Sequence, residues 1–182
     1  DDLSQYNGHG IHVAGIIAGN FSGANIGIGA PLVKAGKLQV APYRVLNYSG
    51  QGAYSWVTAG VKDANQEAAK LMQKGYFVIY NLSLGGGSTD EALTQALQAA
   101  KDMGVFVSVA AGNSGRYGVG FPASAPGAYA IGSVAHTGSL NDFVRSPFSQ
   151  YGPKVWAGAP GSGIYSSYKN GGFATLSGTS MA

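Results

Sequence analysis

Apolar side chains recur along this chain in two rhythms, one helical and one of strands. Val13, Ile16 and Ile17 fall at helical spacing, so His9 to Ala18 is expected to form a short buried helix. Lys37 to Leu46 has the composition of a strand, although Pro42 lacks the N–H that a ladder needs. Ser55 to Lys74 predicts a long helix with a stripe of Val57, Val61, Ala64, Ala68, Leu71 and Met72, and Gly75 stands where such helices stop. Tyr76 to Leu84 is apolar almost throughout, as in a buried parallel strand. Ser88 and Glu91 have the spacing of a capping box and open a helix to Met103, which Gly104 ends. Val105 to Ala110 and Ala128 to Val134 read as further strands. The chain after Gly152 is rich in turns, with short strands at Val155–Ala157 and Phe173–Leu176.

Strand and helix in alternation predict right-handed crossovers and an α/β fold, a mostly parallel sheet with helices on both faces. Sites in such sheets gather at the carboxyl ends of strands, here Ser83 to Gly86 and Ala110 to Asn113. No repeat or linker divides the chain, so residues 1–182 are read as one domain.

Composition narrows the function classes. Of 182 residues, 45% are apolar and only 10% charged, where about 25% charged is usual. The net charge of +3 comes from scattered charges, which argues against nucleic acid or an anionic membrane as partner. No apolar run approaches the roughly 20 residues of a membrane span. The absence of cysteine excludes disulfides and cysteine-based zinc sites. The chain opens on Asp1-Asp2-Leu3 and closes on Thr179-Ser180-Met181-Ala182, where a helix is expected to begin. Both ends suggest a fragment.

Three segments carry candidate chemistry. In Asn7-Gly8-His9-Gly10 a histidine sits at the mouth of a helix, where a group titrating near neutrality can move protons. In Ala110-Ala111-Gly112-Asn113 a strand ends in an amide able to donate to developing negative charge. In Gly178-Thr179-Ser180-Met181-Ala182 a serine has both its hydroxyl and its own N–H available, for nucleophile and oxyanion donor. Taken singly, each is more often structural: a capping or core histidine, a turn-forming asparagine, an N-cap serine. His12, one turn beyond His9, reads as a buried hydrogen-bonding residue.

Together the three segments resemble the motifs of the subtilisin-like serine peptidases, the subtilases. His9 to Gly15 is similar to that family's histidine signature, with Ile11 in place of a threonine. The segments around Asn113 and Ser180 match its other two signatures, and Tyr43–Leu46, Tyr54–Val57, Asn81–Gly86, Phe121–Ala123, Phe148–Gly152 and Ala159–Gly161 fall where the family has similar stretches. The resemblance implies a three-layer subtilisin-like fold and a secreted, extracellular, monomeric endopeptidase acting on polypeptides. It implies His9 as general base, Ser180 as nucleophile, and Asn113 with the Ser180 N–H as oxyanion donors supported by Thr179. It also implies that Gly50, Gln51 and Gly52 face Ser83, Leu84 and Gly85 across an extended peptide. Ser83 to Gly86 and Ala110, Ala111 and Gly112 would then wall the pocket for the residue before the cut. Gly120 would be its uncharged floor, suited to Phe, Leu or Tyr. Tyr54 and Val57 would line a second apolar pocket. No cofactor is implied for catalysis; a structural calcium is expected from the likeness of Ala24 to Ile28 to part of a calcium loop.

The resemblance also predicts an aspartate on a strand end upstream of the histidine, followed by Ser or Thr and Gly. Asp1 and Asp2 stand too close to His9, and Asp63, Asp90, Asp102 and Asp142 have no matching context. The chain is therefore expected to be an incomplete peptidase domain with little activity of its own; a catalytically dead homologue used for binding or scaffolding is the alternative. An α/β-hydrolase is excluded because its order is Ser, Asp, His. Gly85-Gly86-Gly87 fails as a nucleotide loop because Asp90 takes the third glycine position.

Overall fold

The computed structural model describes residues 7–21, 24–139 and 142–182. Two long helices follow the predicted periodicity: α3, Tyr54–Gln73, and α4, Glu91–Asp102, preceded by α1, His9–Ala18, and a short α2, Ala30–Lys34. The strands are β1 Asn20–Phe21, β2 Ala24–Asn25, β3 Ile79–Leu82, β4 Phe106–Ala110, β5 Tyr129–His136, β6 Phe143–Arg145, β7 Val155–Pro160, β8 Ile164–Ser167 and β9 Phe173–Leu176. β3, β4, β5 and β7 pair in parallel in that order, and β6 joins the far end of β5 antiparallel. β8 and β9 form a separate antiparallel hairpin that ends just before Ser180.

The core lies between the sheet and the pair α3 and α4. Leu82, Val107, Val109 and Ala130 from the strands meet Val57, Val61, Ala68, Leu93, Leu97 and Ala100 from the helices. Burying one such leucine fully contributes about 1.5–3 kcal/mol. On the opposite face Phe106 stacks on Tyr129 at 4.6 Å, and Trp156 meets both rings edge-on at 5.4 Å.

Three expectations need correction. Lys37 to Leu46 forms no strand: the run is irregular, Pro42 offers no N–H, and Val45 packs against Gly60 of α3 instead. The predicted strand Tyr76 to Leu84 shortens to β3, which pairs with β4 alone among the described strands, so Phe77 is 90% and Ile79 63% exposed. The cap of α4 is not Ser88. Asp90 accepts the Leu93 N–H at 2.7 Å, because its carboxylate stands at the N-cap itself. Helix α2 and strands β1, β2, β6 and β8 go beyond the predicted elements; most are too short to carry a period.

Candidate active site

α1 begins at His9 because Gly8 turns the chain with φ of 51°, and a side chain on Gly8 would run into the Tyr168 ring. His9 is half-buried and its Nε2 lies 2.8 Å from the Ser83 carbonyl oxygen. A carbonyl only accepts, so this ring nitrogen carries a proton. The Ser180 hydroxyl donates to the same oxygen at 3.3 Å. The two expected catalytic side chains thus meet at one acceptor, with no hydrogen bond between them among the described residues.

Ser180 sits in a turn closed by Met181 N–H donating to Gly178 O at 3.1 Å, where a helix is expected to begin. Ser83 Oγ holds that turn by donating to the Ser180 carbonyl at 2.8 Å, and Asn81 Nδ2 donates to Ser83 Oγ at 3.0 Å. Thr179 is buried and anchors the other side. Its N–H and its hydroxyl both donate to Asn113 Oδ1, at 2.8 and 2.9 Å, and its Oγ1 accepts the Gly112 N–H at 3.1 Å. With its oxygen occupied twice, the Asn113 amide must turn its Nδ2 donors away from Thr179. Nδ2 stands 3.4 Å from the place a Gly178 Cβ would take, beside the Ser180 turn. The Ser180 N–H has no partner among the described residues.

Beside His9 opens a cleft of about 630 Å³. Gly50, Gln51, Gly52, Tyr54 and Val57 line one side, and Ser83, Leu84, Gly85 and Gly86 the other, with Asn7 and Leu46. The Gly50 edge is set by Asn47, whose Oδ1 accepts the N–H groups of Ser49 and Gln51 at 2.9 and 3.0 Å. The Tyr54 hydroxyl is buried without a partner and takes the space a Gly86 side chain would need. Ala110, Ala111, Gly112 and Gly120 lie outside this cleft, toward Asn113. Ala111 is fully buried and its carbonyl accepts the Gly120 N–H at 2.9 Å, so it braces that wall from behind.

His12 is fully buried and hydrogen-bonded, as expected, but its partners lie beyond the reach of local sequence. Its Nε2 donates to both Ile164 O and Ala174 O, at 3.1 and 3.0 Å, tying α1 to the β8–β9 hairpin that leads to Ser180. Nothing local betrays these contacts, which span 152 and 162 positions.

Among the described residues no carboxylate reaches His9. Asp90 caps α4, Asp102 accepts from Gln98 at 2.7 Å, Asp142 accepts from Thr137 at 2.6 Å, and Asp63 belongs to α3. Asp1 and Asp2 lie outside the described residues. No three His, Asp or Glu side chains gather among the described residues, and Ile26, Gly27 and Ile28 spend their N–H groups on Gly19 O and Ile16 O. Calcium takes oxygen donors, which the resemblance alone assigns to Ala24 to Ile28, and it enters no step below. No helix among the described residues is long and apolar enough to cross a membrane.

A parallel sheet with a histidine, an amide and a serine at its carboxyl edge defines an α/β domain with one candidate site there. Comparison makes the class specific: the chain belongs to the subtilase family, whose profile matches residues 1–182. It is 40% identical over 176 residues to thermitase of Thermoactinomyces vulgaris, covering 97% of this chain and 57% of that one. It is 36% identical over 182 residues to subtilisin DY of Bacillus licheniformis, with 97% and 59% covered. Among solved structures, a cold adapted subtilisin-like serine proteinase superposes with a TM-score of 0.78 at 39% identity, over 97% of this chain and 57% of its own. The fold is therefore the three-layer α/β subtilisin fold, and the chain spans less than two thirds of the length of these relatives.

Proposed function

We propose that the protein hydrolyses peptide bonds as a serine endopeptidase, with Ser180 as nucleophile and His9 as base. The observation that carries this reading is the meeting of His9 and Ser180 at the Ser83 carbonyl, at the mouth of a cleft sized for a peptide. An extended substrate lies between the Gly50–Gly52 and Ser83–Gly85 edges, held by main-chain hydrogen bonds that accept almost any sequence. Ser180 Oγ attacks the scissile carbonyl carbon while His9 takes its proton. The carbonyl oxygen becomes an oxyanion bound by the Ser180 N–H and Asn113 Nδ2, with Thr179 fixing the amide. His9 then gives the proton to the leaving amine, and a water molecule repeats the sequence to free the acid. Ala110, Gly112 and Gly120 frame the pocket for the residue before the cut, which takes large side chains. Tyr54 and Val57 line a second apolar pocket. Family likeness further supports a secreted protein.

One observation favours a second reading, a peptide-binding homologue that cleaves poorly. His9 and Ser180 share no hydrogen bond, and no described carboxylate orients the imidazole. Disabling the orienting aspartate of a Ser-His-Asp triad costs about 10⁴ in turnover, a figure that belongs to other enzymes with this constellation.

Labelling by a fluorophosphonate probe, together with cleavage of an unfolded protein substrate, separates the two. Hydrolysis predicts labelling and cleavage that vanish in Ser180→Ala while peptide binding persists. Peptide binding with neither labelling nor cleavage would leave the second reading standing.

A further inference from the structure

We propose that Gln150 ends the pocket for the residue before the cut in a hydrogen-bond acceptor, so that the site selects tyrosine over phenylalanine there. The inference rests on the proposed reading of the cleft and deepens it. Gln150 follows Ser149 on the segment that backs the Gly112 wall, and its N–H donates to Gly112 O at 2.9 Å. Its side-chain Nε2 donates to Gly118 O at 2.8 Å. That bond fixes which end of the amide is which, because only the nitrogen can donate to a carbonyl. Oε1 must then point the other way, into the wedge between Gly112 and Gly120. A Cβ on Gly112 would collide with Oε1, and one on Gly120 would stand 3.7 Å from it. Gly112 is the wall and Gly120 the floor of the proposed pocket. Both glycines are half-buried. No donor reaches Oε1 among the described residues.

The surroundings hold this oxygen still. Gly118 N–H donates to Tyr151 O at 2.7 Å, Tyr151 N–H to Arg116 O at 3.2 Å, and Gly115 N–H to Phe148 O at 2.7 Å, so the loop 112–120 is laced to the segment 148–151. The Arg145 guanidinium lies over the Tyr151 ring at 4.4 Å, and Tyr117 meets that ring edge-on at 5.8 Å, bracing the lacing from outside. A floor of bare glycine would treat phenylalanine and tyrosine alike. A fixed, unpartnered amide oxygen favours a flat side chain with a neutral donor at its tip, and a phenylalanine there leaves the oxygen desolvated and unpaired. Lysine is not favoured, because a neutral carbonyl does not repay the hydration an ammonium gives up.

The experiment is calorimetric binding of two N-acetyl tetrapeptides that differ only in a C-terminal phenylalanine or tyrosine. The native protein is compared with Gln150→Met, which keeps length but no acceptor, and Gln150→Leu. The expected result is tighter binding of the tyrosine peptide by about threefold to tenfold in the native protein. The ratio should fall to about one in both variants, as for any site without the acceptor. Loosening of the loop would weaken both peptides together, so the ratio reads the acceptor and not the fold. Equal affinities in the native protein, or a ratio that survives both substitutions, would overturn the inference. If neither peptide binds, the reading of the cleft fails and the inference falls with it.

Discussion

Replacing Thr179 with valine exchanges a hydroxyl for a methyl of nearly the same shape, so the change isolates the hydrogen bonds. Thr179 is 2% exposed, and solvent cannot take over for the lost groups. Two bonds disappear: the hydroxyl to Asn113 Oδ1 at 2.9 Å, and the Gly112 N–H to Oγ1 at 3.1 Å. The first is backed up, because Thr179 N–H still donates to Asn113 Oδ1 at 2.8 Å. The second is not, and leaves the Gly112 N–H without an acceptor. Gly112 is half-buried, and its unmet N–H together with the loosened Asn113 contact costs about 1–3 kcal/mol. For a domain of about 150–250 residues each kcal/mol shifts melting by roughly 2–4 °C, so a loss of about 2 kcal/mol lowers the melting temperature by roughly 4–8 °C. Thermal unfolding followed by circular dichroism reads the shift. Thr179→Ser keeps the hydroxyl and should recover most of it. Equal melting temperatures for Thr179→Val and the native protein would refute the reasoning, since they would mean that the hydroxyl closes no network.

Three further outcomes are expected. Leu97→Ala empties a fully buried site in the core and should cost about 2–5 kcal/mol in urea unfolding. Asp90→Ala removes the cap on Leu93 N–H and should cost about 1 kcal/mol in the same assay, whereas Ser88→Ala should cost nothing measurable. Burial, with the neighbouring Tyr43, pushes the Tyr80 phenol from 10.0 up to about 12. The unfolded chain therefore ionises first as pH rises. The stabilisation is whole below pH 10 and is lost as pH climbs through about 12, and Tyr80→Phe should flatten that decline in unfolding measured across the range.

What the sequence revealed followed the range of the forces involved. α3 and α4 were legible because a buried stripe recurs every turn, and their glycine stops are local. The family was legible because the segments around His9, Asn113 and Ser180 are short, contiguous motifs. Ser88 misled because spacing alone does not say which of two neighbouring polar residues reaches the free N–H groups; the backbone at Asp90 decides that. Lys37 to Leu46 misled because strand composition is only half of a strand and the other half is a partner. The contacts of Gln150 and His12 were invisible, since they reach carbonyls 32 and 152 positions away, at Gly118 and Ile164.

The Ser83 carbonyl is the point on which the site turns. In the free protein it is the acceptor for both His9 Nε2–H and the Ser180 hydroxyl. A carbonyl oxygen has two lone pairs, so these two donors saturate it. On the proposed reading, a peptide running along the Ser83–Gly85 edge brings a third donor, its own backbone N–H, to the same oxygen. One or both side chains must then let go. On the same reading the freed Ser180 hydroxyl turns to the imidazole, provided Nε2 gives up its proton and Nδ1 holds it. The arriving substrate, on that reading, removes the contact that keeps nucleophile and base apart. On the proposed reading an acceptor facing Nδ1 holds the imidazole in the useful tautomer and favours cleavage; without one, the same cleft binds peptide and cleaves it poorly.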